Sequence, residues 1–345
     1  MSGGSRRRPT SFDVAERAGV SQPTVSRALS GSPAIAEATR RKVIEAAEAL
    51  GYFVDERAAR LRRGSTGTLA VVVICREGDN ASSINPFAYA LLGSVCVAAS
   101  ERGFETLVSF QAREGAFFGH YQEQGRADGL VVIGTTTNAA AWEHFRGLDT
   151  EGRRVAYWGS PFDELDWVRS DNRAAGRLAV EHLLAQGYRR PCFLGALNTP
   201  QMQFTERYEG YAAGMQAAGL EPCLAPTVNA ASREEEGRRA ARRLIERGAI
   251  EQGDIDAVFA ACDAMALGAL EAFAAADIAV PQQVGVMGFD DLVAGRFSRP
   301  PLTTIAPDPA EAGAALVEAV LDDGEAKARR RVPVKLIKRG STARF

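Results

Sequence analysis

The amino-acid sequence predicts an all-α helix-turn-helix head followed by an α/β body made of two doubly wound parallel-sheet lobes. In the first 53 residues, short amphipathic stretches are separated by glycines and hydroxyl residues. From Thr68 onward, continuous apolar runs alternate with helical patterns, which is typical of parallel strands covered on both faces. These runs are too numerous for one sheet of usual size. We therefore expect a head at 1–53, a hinge helix and linker at 54–66, and a body at 67–345.

Charge is distributed unevenly along the chain. Residues 1–65 contain 12 lysines and arginines against 7 acidic residues, whereas the remaining residues contain 29 against 36. A basic head on an acidic body favours a head that binds a polyanion such as nucleic acid. The alternative is chance clustering of charge.

Composition and motifs exclude several classes of protein. No run of about 18 apolar residues occurs, and the arginines at 6–8 precede no apolar segment, so we expect a cytoplasmic protein without membrane contact. The five cysteines are scattered and never form a CxxC pair, which predicts free thiols. Phosphate-loop, zinc-protease and serine-hydrolase motifs are absent, and the three histidines are isolated. We therefore expect no enzyme, metal or cofactor.

Residues 10–29 predict two short helices joined by a tight turn. Thr10 and Asp13 have the spacing of a capping box, and Gly19 stands where helices commonly end. Ser21 suits the N-cap of a second helix, whose first turn tolerates Pro23. The side chains expected to face the core are those of Phe12, Val14, Ala15, Ala18, Val25, Ala28 and Leu29.

The outward side chains of this pair suit contact with DNA, because a helix N-terminus offers free N–H groups and a positive dipole end to phosphates. Hydroxyl groups suit phosphate oxygens, whereas Gln22 and Arg27 are long enough to reach base edges and Pro23 offers apolar contact. The alternative is a simple packing motif with a hydroxyl-capped end. The DNA contacts predicted in this segment are Thr10, Ser21, Gln22, Pro23, Thr24, Ser26 and Arg27.

A third helix and a basic segment complete the head. Val43, Ile44, Ala47 and Leu50 form an apolar stripe, although Ala36 at the N-cap position cannot cap. The following basic segment has Leu61 as its only large apolar side chain. It is either a solvated linker or a hinge that folds on DNA and inserts Leu61 into the minor groove.

The body alternates predicted strands and helices. The chain is expected to cross between lobes near 163–166 and to return near 290–306 and 325–332. Predicted strands lie within 68–74, 105–110, 129–134, 153–159, 190–196, 256–262 and 284–290, and predicted helices within 87–102, 173–186, 208–218, 234–247 and 264–276.

Several polar and aromatic residues lie near the carboxyl ends of these strands, where open parallel sheets bind ligands. Carboxylates, an arginine and an aromatic ring suit a polyhydroxylated ligand, because carboxylates accept hydroxyl protons and tryptophan stacks on a sugar ring. As alternatives, Asp171 and Asp263 are helix caps, Asp290 ends a turn and Phe87 is core. The predicted effector-binding residues are Asn85, Phe87, Trp158, Asp171, Arg207, Asp263 and Asp290.

The order of three head segments resembles the lactose-repressor/galactose-repressor (LacI/GalR) family of bacterial transcription regulators. They are "DVAERAGVSQPTVSRALSG", "ATRRKVIEAAEALGY" and "AARLRRGSTGTLAVVV". The resemblance implies that Gln22, Pro23 and Arg27 read bases and that Ala58 and Leu61 occupy the minor-groove positions of the hinge. Val54 and Asp55 replace the frequent Pro-Asn of the family, and Ala36 replaces its usual serine.

The body is similar to the effector domain of the same family, which is like periplasmic sugar-binding proteins. The matching stretches are "INPFAYALLGSV", "ADGLVVIG", "SDNRAAGRLAVEHLLAQGYRR", "RYEGYAAGMQAAGL", "FAACDAMALGALEAF", "VPQQVGVMGFDDL" and "PPLTTI". The resemblance implies effector contacts from Phe87, Asp171, Arg207 and Asp290. Cys262 stands where many relatives carry Asn or Ser, and "YWG" at 157–159 replaces a common Asp-Arg pair. An aromatic site of this kind favours a glucoside-like sugar.

The resulting expectation is a repressor of carbohydrate-utilisation genes. It acts as a homodimer on a pseudo-palindromic double-stranded DNA operator and is released by a small sugar bound between the lobes. One alternative is a corepressor-dependent regulator with a purine or sugar phosphate as effector. The other is a sugar-binding protein without a DNA function.

Overall fold

The computed structural model describes residues 9–53, 64–76, 78, 84–134, 138–149, 153–197, 202–226, 228–230, 232–322 and 328–344. The chain divides into two compact units, residues 1–66 and 67–345. The two units are described separately.

The head contains helices α1 (Ser11–Ala18), α2 (Gln22–Leu29) and α3 (Glu37–Leu50). The predicted capping box is present, because Thr10 accepts from the Asp13 N–H while Asp13 Oδ2 accepts from the Thr10 N–H at 2.7 Å. Gly19 ends α1 in the left-handed conformation at φ 66°, where glycine carries no Cβ penalty. As predicted, Ala36 provides no side-chain cap to α3.

The small core of the head is formed by one valine from each helix: Val14, Val25 and Val43 are fully buried. Two residues that were predicted to face the core do not. Phe12 is 70% exposed and Ile44 is 39% exposed. Each helix of the head contacts only two neighbours, so the stripe of side chains that it buries is narrow. Phe12 and Ile44 lie beside this stripe and remain exposed to solvent.

The body consists of two lobes, each built on a six-stranded sheet. The first sheet has the strand order β11-β5-β4-β3-β1-β2, and the second has the order β12-β10-β9-β8-β6-β7. All pairings are parallel except that of β12 with β10. The strands of the described residues are β1 (Thr68–Ile74), β2 (Glu105–Gln111), β3 (Gly129–Gly134), β4 (Val155–Trp158), β5 (Trp167–Ser170), β6 (Pro191–Leu194), β7 (Cys223–Leu224), β8 (Ala257–Ala260), β9 (Gly285–Phe289), β10 (Thr303–Pro307), β11 (Arg329–Val332) and β12 (Val334–Ile337).

Helices cover both faces of each sheet, which explains why the central strands are apolar along their whole length. Residues 69–74 of β1, for example, are all buried. The helices of the body are α4 (Pro86–Glu101), α5 (Ala139–Asp149), α6 (Asn172–Ala185), α7 (Met202–Ala217), α8 (Arg233–Glu246), α9 (Asp263–Ala275), α10 (Val293–Phe297) and α11 (Pro309–Leu321), followed by a 3₁₀ turn at Gly340–Thr342.

The lobe crossovers lie later in the chain than the sequence predicts. The first is at the end of β5 rather than at 163–166, because β5 still pairs with β4 and β11 of the first sheet. The second follows β10 rather than lying within 290–306, since β10 pairs with β9 and only α11 packs against α4 of the first lobe. The third is at Pro333, between β11 of the first sheet and β12 of the second, just after the predicted 325–332.

Glycines allow two helix pairs of the second lobe to pack closely. A Cβ at Gly176 of α6 would overlap the Arg207 carbonyl of α7, and a Cβ at Gly210 would overlap the Arg173 carbonyl. The α8–α9 pair repeats the arrangement through Gly237 and Gly268. Because α6 and α7 pack backbone to backbone, the positions of the side chains at the start of α7 depend on this contact.

The expectation of free thiols is wrong for one pair. Cys192 of β6 and Cys223 of β7 are register neighbours with a Cα–Cα distance of 4.6 Å, and they form a disulfide. Parallel pairing brings together two residues that are 31 positions apart, which spacing alone does not reveal. Cys75, Cys96 and Cys262 are not part of a disulfide within the described residues.

Membrane-spanning helices are absent from the described residues: none of their helices is both long and apolar enough to cross a bilayer.

Candidate functional site

Helix α2 of the head presents a polar surface. Ser21, Pro23, Ser26 and Arg27 are exposed. Ser21 makes no capping bond to the backbone; its hydroxyl instead lies 2.9 Å from the Thr24 hydroxyl. This leaves the N–H groups of the first turn without a side-chain cap, so the helix start remains open to an anion.

Besides Ser21 and Thr24, two more of the predicted DNA-contacting side chains have partners within the head. The Thr10 hydroxyl donates to Asp13 Oδ2 at 2.7 Å as part of the α1 cap. Gln22 Nε2 donates to Ser11 Oγ at 3.2 Å, which orients the amide of Gln22 between α1 and α2. The two predicted hinge contacts, Ala58 and Leu61, lie outside the described residues.

The body contains a cavity of about 380 Å³ between its two lobes. This volume suits a small organic ligand. Five of the seven predicted effector-binding residues line it: Asn85, Phe87, Trp158, Arg207 and Asp290. The sequence pattern therefore predicted part of the polar and aromatic wall.

The first lobe contributes an aromatic pair. The rings of Phe87 and Trp158 have centroids 5.6 Å apart and an interplanar angle of 35°. Phe87 is in the first turn of α4, where Asn85 caps the helix by accepting from the Phe87 N–H at 2.9 Å. Trp158 is the last residue of β4. Both rings are nearly buried but line the cavity, so a flat apolar ligand face finds a matching surface.

The second lobe contributes a buried arginine. Arg207 donates through Nε to Asn172 Oδ1 at 3.0 Å and through Nη1 to the Ala261 carbonyl at 2.5 Å. Its guanidinium carbon lies 3.4 Å from the centre of the Phe289 ring. Burial lowers the pKa of Arg207, and the negative charge of Asp290 opposes this effect.

Asp290 is the carboxylate of the cavity. It follows β9 with a φ of 118°, a backbone conformation that residues other than glycine rarely adopt. Burial raises the pKa of Asp290 to about 6, although Arg207 and a hydrogen bond from Asn85 favour the ionised form. Asn85 belongs to the first lobe and Asp290 to the second, so this hydrogen bond joins the two walls of the cavity.

Two predicted effector-binding residues are not part of the cavity wall. Asp171 caps α6 by accepting from the Ala174 N–H at 3.0 Å. Asp263 is fully buried and accepts from Thr304 Oγ1 at 2.6 Å and from the Leu292 N–H at 2.7 Å. Desolvation raises the pKa of Asp263 to about 7. Asp171 is thus a helix cap, as the sequence allowed. Asp263 is not a cap, because Cys262 occupies the N-cap position of α9 and the Asp263 carboxylate satisfies donors of other segments.

Other lining residues were missed. Gln203 and Phe204 lie one turn before Arg207 on α7, so helical spacing would have indicated them. Gln203 Nε2 donates to the Gly159 carbonyl of the first lobe at 3.1 Å. Arg233 at the start of α8 pairs with Glu236 at 2.7 Å. The further lining residues include Ser170, Ser232, Glu234 and the thiol of Cys262, whose pKa burial raises to about 12.

Both the head and the body match known protein families. Residues 12–54 match the bacterial regulatory proteins of the lacI family, and residues 180–342 match a periplasmic binding protein-like domain. The chain is 33% identical over 308 residues to the HTH-type transcriptional regulator CelR of Thermobifida fusca, with 87% of each chain covered. The chain belongs to the LacI family.

Two solved structures agree with this assignment. A CelR–cellobiose complex matches with a TM-score of 0.67 and 29% identity, covering 97% of this chain and 100% of that one. The Lac repressor dimer bound to operator and an anti-inducer matches with a TM-score of 0.76 and 22% identity, covering 97% and 99%. The second likeness shows the fold: a helix-turn-helix head with two α/β lobes.

LacI-family proteins are DNA-binding regulators rather than enzymes. Within the described ranges, no three His, Cys, Asp or Glu side chains are grouped closely enough to hold a metal ion. His182 makes a buried hydrogen bond, with Nε2 at 2.8 Å from Thr342 Oγ1. The polar side chains and aromatic rings of the cavity can bind a small polar ligand by hydrogen bonds and stacking.

Proposed function

We propose that this LacI-family protein is a sequence-specific DNA-binding repressor of carbohydrate-utilisation genes, released by a sugar bound between its lobes. The observation that carries the proposal is the cavity in which the Phe87–Trp158 pair is combined with Arg207 and Asp290. Aromatic rings bind the apolar face of a sugar, while the arginine donates to its hydroxyl oxygens and the carboxylate accepts from them. CelR, whose cellobiose complex shares this fold, supports a glucoside such as cellobiose as the effector.

The DNA function is assigned to the head. Ser21, Thr24 and Ser26 are proposed to contact phosphates, and Gln22 and Arg27 to read bases in the major groove. One head reads one half-site, so a pseudo-palindromic operator requires two heads related by a two-fold axis. This function places the protein in the cytoplasm, with the DNA.

The proposed homodimer has a suitable surface on the first lobe. Strand β2 is at the edge of its sheet, and its Val108 and Phe110 are 39% and 46% exposed. Tyr89 of α4 is 38% exposed and its ring lies 6.0 Å from that of Phe110. An apolar cluster beside an unpaired strand edge favours association with a second copy.

Release of the protein from its operator follows from a difference in sugar affinity between two arrangements of the lobes. A sugar that contacts Phe87 and Trp158 of one lobe and Arg207 and Asp290 of the other favours one angle between the lobes. A change in that angle alters the spacing of the two heads in a dimer, and operator affinity falls. By linkage, operator DNA must weaken sugar binding by the same factor.

The proposal is tested by a thermal-shift screen with cellobiose, maltose, ribose, a purine and a sugar phosphate. A ligand at about 100 times its Kd adds roughly 2.7 kcal/mol to stability. A cellobiose response, followed by loss of operator binding with DNA selected from random sequences, supports the proposal.

Arg76, Arg207 and Arg233 line the cavity and favour the alternative of a sugar phosphate corepressor. A response to phosphate only, with tighter operator binding, would establish that alternative and exclude the inducer.

A further inference from the structure

A carboxylate that does not line the cavity lies at the centre of an ion cluster in the body. Glu206 of α7 is 1% exposed. Arg331 binds it through both nitrogens, with Nη1–Oε2 at 3.1 Å and Nη2–Oε1 at 2.8 Å. Asn172 Nδ2 donates to Oε2 at 2.9 Å, and Nη1 atoms of Arg169 and Arg173 lie 3.6 and 3.5 Å from Oε1. Bidentate, charge-assisted bonds of this kind are strong and geometrically specific.

This Glu206 cluster joins the two lobes. Arg169 on β5 and Arg331 on β11 are register neighbours in the first sheet. Both guanidinium groups lie over the ring of Trp167, at 4.2 and 5.3 Å. Glu206 belongs to α7 of the second lobe. Burial raises the pKa of Glu206, but hydrogen bonds from Arg331 and Asn172 outweigh it and hold the pKa below its ordinary value. The carboxylate therefore stays ionised, and its charge depends on partners in the other lobe.

The cluster is connected to the cavity through Asn172. This buried amide donates to Glu206 on one side and accepts from Arg207 Nε at 3.0 Å on the other. Both ends of the amide are used, so its orientation is determined, and with it the plane of the Arg207 guanidinium. Neither Asn172 nor Glu206 lines the cavity.

We infer that Asn172 and Glu206 are positioning residues of the effector pocket, which hold Arg207 in its binding orientation only while Arg331 and Arg169 of the first lobe hold the Glu206 carboxylate. The inference rests on the proposed sugar site and assigns the element that makes the site sense the angle between the lobes. Separation of the lobes removes the bidentate partner of Glu206, which releases Asn172 and then Arg207. Buried polar networks behave as units in this way because each member satisfies the next.

The first test needs no ligand. In protein labelled with ¹⁵N-arginine, the Nε–H resonance of Arg207 is assigned by its loss in Arg207→Lys. Arg331→Met should shift this resonance and speed its hydrogen exchange. Arg330→Met is the matched control, because Arg330 is adjacent on β11 but pairs with the exposed Glu318 at 2.7 Å. An Arg207 resonance that is unchanged in Arg331→Met, or equally changed in Arg330→Met, overturns the inference.

The second test measures cellobiose affinity by calorimetry on the full-length chain. Arg331→Met should weaken binding by roughly twofold to thirtyfold, the range of substitutions that act on a site through a network. Arg330→Met should leave affinity unchanged. In the double variant Glu206→Gln/Arg331→Met, the buried carboxylate that has lost its bidentate partner is also removed, so the loss should be smaller than the product of the single losses. Purely additive losses would mean two separate structural effects and would overturn the inference.

The two proposals fail in different ways. If the wild-type protein gives no heat with cellobiose, the sugar assignment fails while the Arg207 resonance still decides the role of Glu206. If cellobiose binds and both arginine variants behave alike, the sugar assignment stands and the positioning role is wrong.

Discussion

Replacement of Asp290 by Asn tests the chemistry of the cavity most directly. The ionised carboxylate can only accept hydrogen bonds, and it is buried beside Arg207. Hydrogen bonds to a charged group contribute about 1.5–3 kcal/mol. Asp290→Asn should therefore weaken cellobiose binding roughly tenfold to hundredfold at neutral pH. Asp171→Asn is the control, since Asp171 caps α6 outside the cavity and should leave the affinity unchanged.

The pH dependence of sugar affinity gives a second measure of the role of Asp290. Burial raises the pKa of Asp290 from 3.8 to about 6, so the acceptor form is nearly complete at about pH 7.5 and falls to roughly a quarter at about pH 5.5. Sugar affinity of the wild-type protein should fall about fourfold over this interval. Titration calorimetry at three pH values measures the effect. Affinity of the wild type that does not change with pH, or the same slope in Asp290→Asn, would refute the reasoning.

The free energy of unfolding of the ligand-free protein should change with pH in the opposite sense to sugar affinity. An acid whose pKa is raised in the folded state stabilises the fold below its unfolded pKa, and this contribution is lost as pH rises through the folded pKa. Relative to Asp290→Asn, the wild-type protein should gain up to about 3 kcal/mol as the pH falls from about 7 to about 4, since one pKa unit is about 1.4 kcal/mol. The pKa of Asp290 at about 6 sets the window. Urea denaturation of both proteins at these pH values measures the difference.

Three further predictions concern packing, DNA and assembly. Gly176→Ala should overpack the α6–α7 contact and destabilise the body by about 1–3 kcal/mol in thermal denaturation, whereas Gly147→Ala, with open space around its Cβ, should not. Arg27→Ala should cost about 1–3 kcal/mol of operator binding and relax specificity at one base pair; equal affinity for the operator would exclude the base-reading role. Phe110→Asp should shift the dimer towards monomer in sedimentation, and an unchanged dimer would locate the interface elsewhere.

Local signals predicted the head and the strands well. The capping box of Thr10 and Asp13, the left-handed Gly19 and the position of Pro23 depend on residues within one helical turn, so the sequence contains all of the relevant chemistry. The apolar run of β1 likewise identified a strand buried on both faces. Periodicity was less informative where a helix buries a narrow stripe, as the exposure of Phe12 shows.

The effector cavity was predicted in part. Phe87 opens α4, Trp158 ends β4 and Asp290 follows β9, so topology placed them near a common edge. Arg207 lies in the second turn of α7, which begins earlier than the sequence predicts. Asp263 occupies an equivalent sequence position, but it satisfies donors from Thr304 and Leu292 instead of facing the ligand. Strand ends identify candidates, and only the neighbours in space show which of them is turned towards the cavity.

By itself the sequence determined the class of protein: the helix-turn-helix head, the doubly wound lobes and three polar residues of the pocket, Asn85, Arg207 and Asp290, follow from patterns of near neighbours. The tertiary structure alone decided the Cys192–Cys223 pairing and the joining of the lobes around Glu206 and Arg331. Helix propensity, capping and hydrophobic period act over a few residues, so they can be read along the chain. Sheet register and ion pairing join residues that are 31 and 125 positions apart, and those distances are set only when the whole fold closes.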